Sequence, residues 1–348
     1  MALFSRRPKD HDPADDGSAP DAPAEEAPAA EAAPRVTEEG VPAAPAPQVG
    51  ISLTSFDGFG AGEPVAAEPA DVVLRGPLDG GAPPASETIP GLPDNVLLRD
   101  ALAALGDDPE THEILNVARQ LLQGNLYLRV KGDAQRLLAA GEELPLAVAT
   151  REDGNFVLVY SGGIGIATAV EDDGDDQTSA MGQAAREVLE YVLHGEFAGL
   201  IVDHASAPAS VVLPRTLIER ALAETPDGAQ VKALLAAPRT DDTPAAIVEA
   251  LIGAPLWVAV NRPSEDADWG VAESRTPEGG RVLEVFSHPL EVVALGRGDQ
   301  PAPLPAAQLG TVLATDEDLY GIVLDPGGPW LLLRRAQLGP LIALAGQA

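Results

Sequence analysis

The sequence predicts an α/β (α+β) protein. It has two tandem related domains, each a small mixed sheet flanked by helices, behind a disordered, acidic, Pro- and Ala-rich N-terminal tail. Three observations carry this expectation. "GLIVDHASAPASVVLPR" at Gly199–Arg215 and "GIVLDPGGPWLLLRR" at Gly321–Arg335 share one pattern: an apolar run closing on Asp, a turn, a second apolar run and an Arg. Short β-like runs alternate with segments of helical period in the same order before each of them. The first 90 residues have a composition unlike the rest.

That first segment holds 15 of the 33 prolines, five basic residues and sixteen acidic ones. It cannot bury enough apolar surface to offset the entropy of ordering it. Two less polar patches lie within it, Val49–Phe59 and Ala70–Leu78. From Gly91 onward the chain carries 17 basic and 38 acidic residues. A surface of that sign repels phosphate backbones and argues against nucleic acid and anionic membranes, while leaving room for a protein partner, unidentified by sequence. The longest nearly apolar run, Ala250–Val260, is far short of the ~20 residues that span a bilayer. No basic-then-apolar leader opens the chain, so the expected location is cytoplasmic. The absence of cysteine removes disulfides, thiolate metal sites and a cysteine nucleophile.

Order is expected to begin near Gly91. Asp94 is placed to cap a helix with apolar residues at Val96, Leu97, Ala101, Leu102 and Leu105. A second helix runs from Asp108-Pro109 to Gly124, with Pro at its start and Gly past its end. "NLYLRV" (Asn125–Val130) reads as a strand. "LPLAVAT" and "NFVLVYS" form a hairpin through Asp153-Gly154. "YSGGIGIAT" (Tyr160–Thr168) and the acidic Glu171–Asp176 read as loops. Met181, Ala184, Ala185, Val188, Leu189, Val192 and Leu193 then mark an amphipathic helix ending at Gly195. The first quoted strand pair and a helix "TLIERALAE" complete the unit.

The second half repeats this order. Thr243-Pro244 opens a helix, "PLWVAV" matches "NLYLRV" with Trp257 in place of Tyr127, and Gly270–Ser287 matches the hairpin. A shorter helix, the second quoted pair and a last helix "AQLGPLIALA" follow, and Ala294–Pro301 reads as a loop. The expected division is 1–90 tail, 91–225 first domain, 226–244 linker with a short helix, and 245–348 second domain.

"LYLRV", the hairpin ending in [Tyr/Phe]-Ser, the strand ending in Asp and the closing Leu-Pro-Arg resemble the SseB-type domain, named after enhanced serine sensitivity protein B. The resemblance spans about 94–223 and, less strongly, 243–345, so the chain resembles an actinobacterial SseB family protein with two such domains. Arg334 stands where the first copy has Pro214. The family name describes a phenotype; the resemblance implies no reaction and transfers no catalytic residue.

Polar residues repeated in both halves are the candidate binding positions: Ser161 with Ser287, Asp203 with Asp325, and Arg215 with Arg335, to which Trp330 is added as an aromatic opening the last strand. Turn chemistry is the simpler role for the aspartates, because Asp325 precedes Pro-Gly-Gly. No catalytic residue is assigned. None of His11, His112, His194, His204 and His288 falls at matching places in the halves, and no Gly-x-Ser-x-Gly elbow is present. Ser287 and His288 are strand neighbours expected to face opposite ways. Glu171–Asp176 does not fit a calcium loop, no zinc motif occurs, and Gly162-Gly163 lacks the rest of a phosphate loop, so no metal or cofactor is assigned. The expected function is a non-catalytic binding or adaptor protein. The alternative is a sensor of, or enzyme acting on, an amino-acid-like metabolite.

Overall fold

The structure, a computed structural model of the 348-residue chain, describes residues 72–73, 80–224, 230–262 and 269–346. The patch Val49–Phe59 lies outside them, as does most of Ala70–Leu78 and any statement about tail order. Within the described residues, β1 (Val72–Val73) precedes α1 (Val96–Ala103), α2 (Thr111–Gln120), β2 (Asn125–Lys131), α3 (Ala134–Ala140), β3 (Val148–Arg151), β4 (Gly154–Tyr160), α4 (Gly163–Asp173), β5 (Thr178–Ala184), α5 (Ala185–His194), β6 (Gly199–Val202), β7 (Val211–Pro214) and α6 (Arg215–Ala223). The second half comprises α7 (Gln230–Ala236), α8 (Thr243–Gly253), β8 (Trp257–Asn261), β9 (Gly270–Val271), β10 (Glu273–Arg275), β11 (Arg281–Val285), α9 (Pro289–Val293), β12 (Gln300–Pro303), α10 (Ala306–Thr315), β13 (Leu319–Leu324), β14 (Leu331–Arg334) and α11 (Gly339–Ile342). The mixed α/β architecture of the sequence reading is what the structure shows.

The first half builds one sheet in the order β5-β2-β4-β6-β7, with β3 also on β4. Only β4 and β6 run parallel. The second half has the same plan in two pieces, β12-β8-β9 and β1-β10-β11-β13-β14. Paired backbone hydrogen bonds between Trp257 and Phe286 (2.9 and 2.8 Å) connect the pieces where Tyr127 faces Tyr160 in the first sheet. In β4 the residues alternate between layers. Val157 and Val159 enter the core made with α1, α2, α5 and α6, while Phe156, Leu158 and Tyr160 meet Ile166 and Ala169 of α4 on the other face. Burial on both faces is why these strands read as unbroken apolar runs. Gly199 and Gly321 open the two repeated patterns for one reason: a Cβ there would stand 2.1 Å from the Leu213 carbonyl or 2.0 Å from that of Leu333.

Several local expectations are corrected. α1 is capped by Asn95, whose Oδ1 accepts from the Leu98 N–H (3.3 Å). Asp94 instead accepts from Gly163 N at the start of α4 (3.2 Å), from Thr88 Oγ1 and from Arg99 Nη1 (2.7 Å). The segment from Gly162, expected to be a loop, is α4. Its glycines permit close approach, since a Cβ on Gly163 would meet Ile89 at 2.7 Å. Glu171–Asp173 end that helix and Gly174 caps it, while Asp175 and Asp176 lie in the loop beyond; Asp173 pairs with Arg129 (Nη2 to Oδ1, 3.0 Å). Met181 and Ala184, placed on a helix by periodicity, lie in β5, which pairs with β2 along seven residues. That strand depends on its partner; Gly182 is required where a Cβ would fall 2.9 Å from the Tyr127 ring. Pro301, assigned to a loop, belongs to β12. The short helix expected within 226–244 is α7, which packs on α8 as α1 packs on α2.

The two halves interlock. Leu290 of α9 sits in the first-half core, and His288 donates from Nε2 to the Ala221 carbonyl (3.0 Å) while its Nδ1 accepts from Leu290 N–H. Those two bonds fix a neutral imidazole, in keeping with burial and Lys232, which push its pKa down to about 4.

Candidate functional site

Each half brings its repeated serine and aspartate together at the end of the parallel strand pair. Asp203 follows β6 and accepts from Ser161 N (3.0 Å) and Ser161 Oγ. Asp325 follows β13 and accepts from Ser287 N (2.7 Å) and Ser287 Oγ (2.6 Å). Both aspartates hold left-handed backbone, with φ of 47° and 49°. Asp and Asn tolerate that region better than other residues with a Cβ. Their carbonyls accept from Ser206 N and Gly328 N at 2.8 Å, closing matching turns. The side chain thus clamps one strand end to its neighbour while the backbone starts the turn.

The clamps are alike; their surroundings are not. Asp203 is overlaid by α4, where a Cβ on Gly165 would lie 2.2 Å from its Oδ1. Burial raises its pKa to about 6 against the bonds from Ser161. Asp325 lies in a charged junction between the halves, and burial with the nearby Glu291 carboxylate raises its pKa to about 7. Glu291, with a side chain 1 % exposed, accepts from Arg119 Nη1 (2.6 Å) and from Lys232 Nζ. Burial alone would raise the Glu291 pKa, but the two cations outweigh it and hold the carboxyl below its ordinary range. Arg119 also reaches the Gly327 and Gly328 carbonyls (2.9 and 2.7 Å), and Gln120 joins at Gly328 (3.1 Å), so the first half seals the turn that follows Asp325. A narrow crevice lined by Gln120, Gln123, Lys232, Glu291 and Asp325 remains, with room for about one water.

Arg215 and Arg335 end on helix carbonyls. Arg215 donates to the carbonyls of Val192, Leu193, Gly195 and Phe197 around the end of α5. Arg335 donates to Asp316 O after α10 (3.0 Å). A cation there satisfies orphan acceptors and complements the helix dipole. Trp330 is 9 % exposed and packs with Val282, Val323 and Leu332. Its burial follows from a neighbour remote in sequence: Trp330 N donates to the Gly80 carbonyl (2.9 Å).

Sequence reasoning did not single out Arg119, Lys232 and Glu291, because no local pattern distinguishes a buried ion from a solvated one. The sparse lysine count was a usable signal: Lys232 is one of only three. In the first half, the Tyr160 hydroxyl and His204 Nδ1 are buried with no hydrogen-bond partner among the described residues. Their rings meet edge-on at 5.9 Å, and burial pushes the Tyr160 pKa up to about 12. A serine nucleophile needs a base free to take its proton. Here both hydroxyls donate to carboxylates whose remaining oxygens are engaged by the serine backbone, and Ser161 is fully buried.

Among the described residues no helix is long and apolar enough to cross a membrane, and no cluster of metal-ligating side chains occurs. Residues 231–338 match the family model described as the SseB protein N-terminal domain. No curated protein and no solved structure matches the chain.

Proposed function

We propose, from the premise that the chain carries an SseB-family domain at 231–338, that it is a non-catalytic interaction protein made of two SseB-type units. The first unit would run from 91 to 225. The second would begin at α7, which holds the place of α1, rather than at residue 245. The serine–aspartate clamp at equivalent strand ends supports descent of both units from one plan. The single observation that carries the interaction reading is the way the repeated polar residues are used. Each of the three pairs closes on the chain's own backbone or on its repeated partner, so what duplication preserved is a scaffold.

The Arg119–Glu291–Lys232 junction supports a fixed relation between the units, which gives a partner two surfaces at once and raises avidity without new contacts. The acidic balance of the chain favours a basic partner surface. The test is capture with the tagged full-length protein from its own organism, beside a thermal-shift screen of amino acids and related metabolites. A near-stoichiometric protein partner and no metabolite shift is the expected result. A metabolite that raises Tm in the wild type and not in Asp325→Asn would replace this reading with that of a sensor using the crevice beside Lys232.

A further inference from the structure

The chain ahead of α1 touches the second sheet at two places. β1 runs parallel to β10, pairing Val72 with Ser274 and Val73 with Arg275, and so supplies the edge strand of that sheet. Seven residues after Val73, the Gly80 carbonyl accepts from Trp330 N. Gly80 lies against the indole. A Cβ at that position would stand 2.1 Å from Nε1 and 2.3 Å from Cδ1, so no other residue fits there unless the ring moves.

A helix occupies the corresponding ground in the first half. Aligning the clamps sets Val282 at the place of Phe156 and Val323 at that of Ile201, both of which pack with Ile166 and Ala169 of α4. Its counterpart α9 has five residues and spends Leu290 on the other half's core, reaching only the β8 end of this face through Val292. Glu284, in the place of Leu158, is paired with Arg297 there (3.1 Å). Without β1 and Gly80, the β10 edge would present unpaired backbone groups and Trp330 would lose its cover.

We propose that the β10 edge and the Trp330 indole form a strand-accepting groove. Its ligand is an extended peptide that pairs with β10 and lays a glycine on the indole about seven residues later, and the chain fills the groove in cis at two points, Val72–Val73 on β10 and Gly80 on the indole. Backbone pairing supplies affinity, and the glycine requirement supplies selectivity, as in other recognition by strand addition. The inference rests on the interaction reading and names the surface that reading leaves unspecified.

The experiment uses the full chain and a fluorescent peptide with the sequence of residues 70–82. Gly80→Val empties the groove from the indole end; Val72→Pro/Val73→Pro empties it from the strand end and leaves Gly80 intact, so one variant stands if the other misfolds. Each is expected to bind the peptide at least about tenfold more tightly than the wild type, whose own segment competes at high effective concentration. Peptide carrying valine in place of its glycine should not bind. Hydrogen exchange of the Glu273–Arg275 amides should quicken in both variants and slow again with peptide. Equal peptide binding by all three proteins, or β10 amides that do not respond, would overturn the groove. A wild-type dimer exchanging this segment between copies would overturn the cis assignment. Failure of native capture with groove-open protein would count against the interaction reading alone, since the peptide titration does not depend on it.

Discussion

The two serine–aspartate clamps are the same device in different surroundings. Ser161–Asp203 is closed over by α4, a helix of its own half. Ser287–Asp325 is closed over by Arg119 and Gln120 of the other half, and the helix equivalent to α4 has shrunk to five residues. Two contacts accompany the shorter helix. The first half docks against the second through Leu290, His288 and Glu291, and the outer sheet face meets the chain at Gly80. The clamp is set by the strand ends and survives; what lies on top of it depends on which element packs there.

The largest expected effect breaks the junction that the first clamp lacks. Glu291→Ala leaves Arg119 and Lys232 buried without their carboxylate and should cost about 3–5 kcal/mol in urea unfolding. Asp173→Ala, which removes the more exposed partner of Arg129 in the first half, should cost clearly less. Equal losses would mean the junction is no more demanding than a pair with one half-exposed partner. Next, Gly165→Ala should destabilise by about 1–3 kcal/mol, because α4 must lift from the Asp203 carboxylate. The second half has no equivalent packing to disturb.

A pH comparison is smaller and sharper. Both aspartates hold their proton more tightly folded than unfolded, so their contribution to stability is present at low pH and is lost as pH rises through about 6 for Asp203 and about 7 for Asp325. His288 works in the opposite sense, losing stability as pH falls from 6.5 towards about 4. Asp203→Asn and Asp325→Asn retain the left-handed turn and remove the carboxyl's titration. Relative to wild type, each variant should gain stability as pH rises from about 3.8, the gain levelling off near pH 6 for Asp203→Asn and near pH 7 for Asp325→Asn. Gains that level off at one pH would show that the surroundings of the two aspartates do not differ in their effect. The smallest effect separates the arginines. Arg215→Ala, losing four carbonyl contacts, should lower stability by about 1–2 kcal/mol, and Arg335→Ala by less than about 1 kcal/mol.

Much of the fold was legible because it is written locally. The runs that became β2, β4, β6, β8, β11 and β13 are largely apolar, and the glycines and aspartates at their ends hold close contacts or left-handed backbone that few other residues accept. Elements that depend on a partner were not legible. β5 is small and polar in sequence and exists through its pairing with β2; α4 begins with two glycines, which read as a loop until Ile89 and Asp203 are seen beneath them. The candidate residues Ser161, Asp203, Ser287 and Asp325 were found by repetition, and repetition identified a structural clamp.

By itself the sequence determined the class of fold and picked out the polar positions that the structure pairs, Ser161 with Asp203 and Ser287 with Asp325, because periodicity and turn chemistry act over a few residues. Tertiary structure alone decided that Lys232 and Arg119 share Glu291, that His288 is neutral, and that Gly80 covers Trp330. Each of those depends on residues 59 to 250 positions apart meeting where water is excluded, and burial, unlike periodicity, is a property of the whole chain.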